Sequence, residues 1–123
     1  MSDPTSFYTG WLVDPAEREA LLGRFPPRYA VAVAHHVTQK FGDETAPAPA
    51  ATMGEIVGAA DDGAGVQALV VAIEGSPARP DGGTYHITWS LAEGREARES
   101  NDVIARGWTR FAQPTRVRLS PKP

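Results

Sequence analysis

Val66-Gln67-Ala68-Leu69-Val70-Val71-Ala72-Ile73 is apolar enough to need a central place in a sheet, so the rest of the chain must be arranged around it. Met53 to Ala60 reads as its hairpin partner, across a turn at Asp61-Asp62-Gly63. The paired aspartates resemble the start of a calcium loop, but the remaining ligand spacing is missing. A chain of 123 residues has room for one domain, spanning 1–123, with a real core.

Local signals place the other elements. Phe7 to Val13 carries aromatic and β-branched residues and reads as a first strand. Asp14-Pro15-Ala16-Glu17 supplies a capping acid, a proline at the first helical position and a glutamate three after the cap. A helix is expected over Pro15 to Arg24, burying Ala20, Leu21 and Phe25, and ended by Pro26-Pro27. Tyr29 to Phe41 follows as a strand, and Gly42 to Ala51 as an exposed loop. Ser76 to Gly83 is a second loop, whose Gly82-Gly83 lacks the P-loop pattern and makes a turn. Thr84 to Leu91 is a strand. Ser100 is suited to cap a short helix over Asn101 to Arg106, and Thr115 to Leu119 alternates as a half-buried strand does. The order β-α-β-loop-β-β-loop-β-α-β predicts an α+β protein of two βα-containing halves rather than a doubly wound one.

Charge and composition narrow the function classes. A net charge of −3 argues against a broad, charge-driven nucleic-acid binder and leaves room for a small nucleotide or an RNA end. The absence of cysteine rules out disulfides, thiolate nucleophiles and Cys-based zinc sites. Met1 to Thr9 lacks the basic start and apolar run of a signal peptide. No stretch approaches the roughly 20 apolar residues that cross a bilayer. A cytoplasmic location and no membrane partner are therefore expected.

The chemistry is concentrated in a repeated signature, His36-Val37-Thr38 and His86-Ile87-Thr88. Alternate side chains on a strand share a face, so each copy presents one imidazole and one hydroxyl together. A proton carrier beside a hydroxyl suits phosphate chemistry, and two copies allow one histidine to act as base and the other as acid. By the same parity Lys40 extends the first face and Ser90 the second. His35 falls on the opposite face from His36, so the two are not expected to share a metal ion. Thr38 and Thr88 are also good strand formers in their own right.

Paired His-x-Thr strands in a small α+β protein resemble the 2H phosphoesterase superfamily, which includes RNA 2′,3′-cyclic phosphodiesterases and the cyclic phosphodiesterase domains of tRNA ligases. The resemblance spans roughly Phe7 to Arg110, on the patterns His-apolar-Thr-x-x-Phe and His-apolar-Thr-x-Ser. It implies a compact fold of two pseudo-symmetric βα halves, with antiparallel sheets flanking a central cleft. It further implies His36 and His86 as the catalytic pair, Thr38 and Thr88 on the phosphate, and no metal or other cofactor. The two motifs lie close together in sequence, which points to a pared-down version with shortened substrate-binding insertions. His86 is taken as base and His36 as acid.

The expected activity is hydrolysis of a 2′,3′-cyclic phosphate on RNA or a nucleotide, by a monomer that binds no DNA duplex. Alternatives are another cyclic or oligonucleotide phosphodiester, a signalling nucleotide, or a phosphate-binding module without turnover. Lys40, Ser90 and Tyr8 are candidate substrate contacts, whereas Trp11, Tyr85 and Trp89 read as core. Arginines 95, 98, 106, 110, 116 and 118 concentrate positive charge in the final third, on a solvated surface or a nucleotide-facing edge.

Overall fold

Asp14 accepts a hydrogen bond from the Ala16 amide at 2.7 Å, and helix α1 (Pro15–Arg24) starts there. These coordinates come from a computed structural model that describes residues 8–41, 50–80 and 82–122, without the side chains of Tyr8, Lys40 and Phe41. Phe25 leaves the helix with φ −120° and ψ 83°, the extended backbone that a following proline favours. Leu21 is buried and Leu22 and Phe25 pack against the core, while Ala20 is exposed. Glu17 does not close a local capping box. Its carboxylate accepts from the Arg118 amide at 2.7 Å, tying the helix to the last strand.

The strands are β1 (Tyr8–Val13), β2 (Val31–Ala32), β3 (His36–Phe41), β4 (Thr52–Asp61), β5 (Val66–Ala72), β6 (His86–Leu91) and β7 (Thr109–Pro121). With α1 and the second helix, α2 (Glu99–Ala105), they make an α+β fold. All strand pairs are antiparallel, in the order β2-β6-β5-β4-β7-β1-β3. The expected separate sheets therefore join as one. The join is β7, which runs well beyond Thr115 to Leu119 and pairs with β4 along most of its length and with β1 at its end.

The two ends of that order, β2 and β3, are consecutive pieces of one segment. Val33 and Ala34 donate to the carbonyls of Trp89 and Thr88 on β6, at 2.9 and 3.0 Å. Ala34 then takes φ 45°, and His35 accepts from Val13 on β1 at 3.0 Å. Residues 31–41 thus change partners midway, and the sheet curls until its edges meet. Arg18 of α1 braces the kink by donating to the carbonyls of Val33 and Ala34, each at 3.1 Å.

Inside the curl lie Trp11, Val37, Ile56, Leu69, Val71, Ile87, Trp89, Val117 and Leu119. Tyr85 joins them, edge-on to Trp11. On the outer face, Val103 and Ile104 of α2 cover Val66, Ala68, Val70 and Leu91. The apolar run that demanded a central strand is β5, buried at every residue because it serves both layers. No helix among the described residues is long and apolar enough to cross a membrane.

Candidate active site

Val37 is buried inside the curl, so alternation sends His36 and Thr38 to the outer face of β3. Ile87 does the same for His86 and Thr88 on β6. The pairs Val31–Leu91 and Ala32–Ser90, followed by the bonds from Val33 and Ala34, dock the segment on β6 up to two residues before His36. The closing segment therefore sets the two imidazoles on neighbouring strands and one face.

Their electrostatics bear this out. Burial, then the charges of His35, His86 and Lys122, push the His36 imidazole down to about 4. Burial also lowers His86; its bond to Thr84 opposes the shift, and Arg79 adds to it. A carbonyl only accepts, so the 2.8 Å contact to Thr84 fixes a hydrogen on His86 Nδ1 and leaves Nε2 as the basic nitrogen of the neutral ring. Both rings are thus neutral near pH 7.

His35 behaves differently from the strand-parity expectation. It lies in the kink rather than in β3, and its Nδ1 comes within 3.0 Å of His36 Nδ1. One of the two nitrogens must carry the shared hydrogen. Among the described residues no three His, Asp or Glu side chains gather as a metal ion would need.

The hydroxyls divide. Thr38 is buried beside Gly10, and its hydroxyl makes no hydrogen bond among the described residues. Thr88 donates to the Ala97 carbonyl at 3.2 Å and shares a 2.8 Å bond with Ser100, which is wholly buried under it. Ser100 serves this contact rather than capping α2, which starts at Glu99.

Ser90 leaves the face altogether. Gln67 and Ala68 pair with Ser90 and Thr88, so Trp89 is an extra residue and the alternation flips beyond it. The Ser90 hydroxyl donates to Gln67 and accepts from the Tyr29 amide, fully buried. The side chains of Tyr8 and Lys40 lie outside the described residues.

Comparison with family models, with curated proteins and with solved structures finds no match.

Two cations that sequence reasoning passed over complete the site. Lys122 follows β7, where its amide donates to Gly10 at 2.9 Å and its charge reaches His36. Arg79 is buried in the loop before β6 and lines a cavity of about 320 Å³ together with His86, Asn101 and Ile104. Neither carries a local signal: one is a lysine between two prolines, the other an arginine in a proline-rich loop. Of the later arginines, Arg95 is bonded to Asp62 and Glu99, and Arg98 pairs with Glu96.

Proposed function

We propose that this chain is a small phosphodiesterase of the 2H type, which opens a 2′,3′-cyclic phosphate on an RNA end or a nucleotide to a monoester without a metal. The observation that carries the reading is the pair of neutral imidazoles on one face of β3 and β6, with a cation beside each. His36 is the base. Held neutral down to about pH 4, it takes a proton from the attacking water as the new P–O bond forms. His86 is the acid, the reverse of the sequence-based assignment. The Thr84 carbonyl favours its protonated form, and its Nε2–H delivers a proton to the departing ribose oxygen as that P–O bond breaks. Thr38 offers its hydroxyl, and Lys122 its charge, to the non-bridging oxygens. The curled single sheet stands in for the two-halved cleft, with β3 and β6 as its two signature strands.

The test is hydrolysis of nucleoside 2′,3′-cyclic phosphates in EDTA. Turnover is expected, falling about 10²- to 10⁴-fold in H36A or H86A. The kcat/KM profile should rise as His36 deprotonates near 4 and fall as His86 deprotonates below 6.5, giving an acidic optimum. Tight binding without turnover across a panel of cyclic phosphates would make the protein a phosphate-binding module instead.

A further inference from the structure

On a regular strand consecutive side chains point to opposite faces, so His35 and His36 would not meet. The kink changes that. Ala34 holds φ 45°, a left-handed conformation that a residue with a Cβ keeps only where its surroundings impose it. Here they do: the His35 carbonyl accepts from the Val13 amide, and Arg18 donates to the Ala34 carbonyl. The two rings end up side by side, with centroids 5.2 Å apart, planes at 81° and Nδ1 facing Nδ1 at 3.0 Å. His35 is the exposed member of the pair and His36 the half-buried one.

Two imidazole nitrogens can share a hydrogen in either direction, and the directions are not equivalent for His36. If His35 donates, the lone pair of His36 Nδ1 is occupied and the ring's own hydrogen sits on Nε2. If His36 donates, Nε2 keeps its lone pair and is the basic nitrogen. A proton taken there leaves an imidazolium with hydrogen on both nitrogens, which can only donate. His35 Nδ1 already stands as the acceptor, so no rearrangement accompanies the proton. In the reverse direction two N–H groups would confront each other across 3.0 Å. A charged His35 opposes a proton on His36, whereas a neutral one accepts the bond from it.

We infer that His35 is a positioning residue for the base: its Nδ1 accepts from His36 Nδ1–H and so holds His36 in the tautomer whose Nε2 meets the attacking water. It does for His36 what the Thr84 carbonyl does for His86. A carbonyl can never donate and an imidazole can, so this base depends on the state of an exposed side chain. The role of Nε2 rests on the phosphodiesterase reading above; the direction of the bond does not.

Ring ¹⁵N spectra at pH 8 read the tautomer directly, with the His36 signals assigned by their loss in H36N. The wild type should carry its hydrogen on His36 Nδ1, with Nε2 bare. H35A should lose that bias. H35N places an amide oxygen where the imidazole Nδ1 lies, and should restore it. Kinetics with adenosine 2′,3′-cyclic phosphate at the same pH should follow the spectra. H35A should lower kcat roughly 10- to 100-fold, as removing the partner that orients a functional histidine does. KM should stay where it is, because His35 touches His36 and not the substrate, and H35N should recover most of the lost kcat. A wild-type spectrum with the hydrogen on His36 Nε2 overturns the proposal, and so does an unchanged kcat in H35A or an H35N no better than H35A. Should H35A fail to fold, the wild-type spectrum still decides. If the cyclic phosphate is not hydrolysed at all, the phosphodiesterase reading is what fails, and the spectra alone judge the role of His35.

Discussion

A threonine hydroxyl has one proton to give, and at Thr88 it is already committed to Ala97 or Ser100. At Thr38 no such partner exists among the described residues. The two halves of the repeated signature are therefore chemically unequal, and the difference is measurable. T38V should lower kcat/KM about 100-fold, as loss of a donor to the transition state does, with stability almost unchanged. T88V should do the opposite. It strands the buried Ser100 hydroxyl and the Ala97 carbonyl, at a cost of about 1 to 3 kcal/mol seen in urea unfolding, and it should change kcat/KM by less than about 10-fold. Equal kinetic losses in the two variants would return Thr88 to the phosphate. Residue identity alone could not separate them. The Ser100 hydroxyl that occupies Thr88 reaches it across the packing of α2 on β6, and no local pattern marks that contact.

At the scale of elements, legibility follows the range of the forces involved. Helix α1 has the bounds read from sequence because Asp14, Pro15 and Pro26 act within a turn of its ends. The break between β2 and β3 was not legible, because Ala34 takes a positive φ without the glycine that usually signals one. What forces it is the change of partner from β6 to β1, a long-range event. The bulge at Trp89 escaped for the same reason, and with it the fate of Ser90. Gly10 is a further case. It sits at a register shift where β1 meets β3, and a Cβ there would fall 2.1 Å from the Val37 carbonyl oxygen. G10A must push β1 away from the strand that carries His36 and Thr38, so it should cost about 1 to 3 kcal/mol and reduce turnover as well. Gly23, in α1 with nothing within 4 Å of its added Cβ, is the control. G23A should leave turnover intact and stabilise by up to about 1 kcal/mol. Urea midpoints and kcat/KM for the two variants test the contrast, and a silent G10A would sink it.

For the molecule as a whole, the site and the closure of the sheet are one piece of structure. Residues 31–41 both join the two edges and carry His36, so any charge on that ring is felt by the closure. The facing groups compound it: His35 from the kink, His86 from β6 and Lys122 just after β7 all disfavour a charged His36. The sign follows from proton counting. Below 6.5 the unfolded chain protonates this histidine while the folded one refuses it down to about 4, so stability is complete above 6.5 and falls as the pH drops through that window. After allowance for the solvent that still reaches the ring, the loss is on the order of 2 kcal/mol. His86 is lowered too and adds to it in the same direction. Glu99, held below its ordinary value by its bond to Arg95, contributes at the acid end of the range. That pair is shared by wild type and variants and cancels between them. Urea unfolding at pH 7 and pH 4 should therefore show a larger loss for the wild type than for H36N, by about that amount. Equal losses would mean that His36 takes its proton as readily folded as unfolded. The base would then be charged in the acid range where the turnover optimum is expected, and both the stability and the catalytic assignments of His36 would fall together.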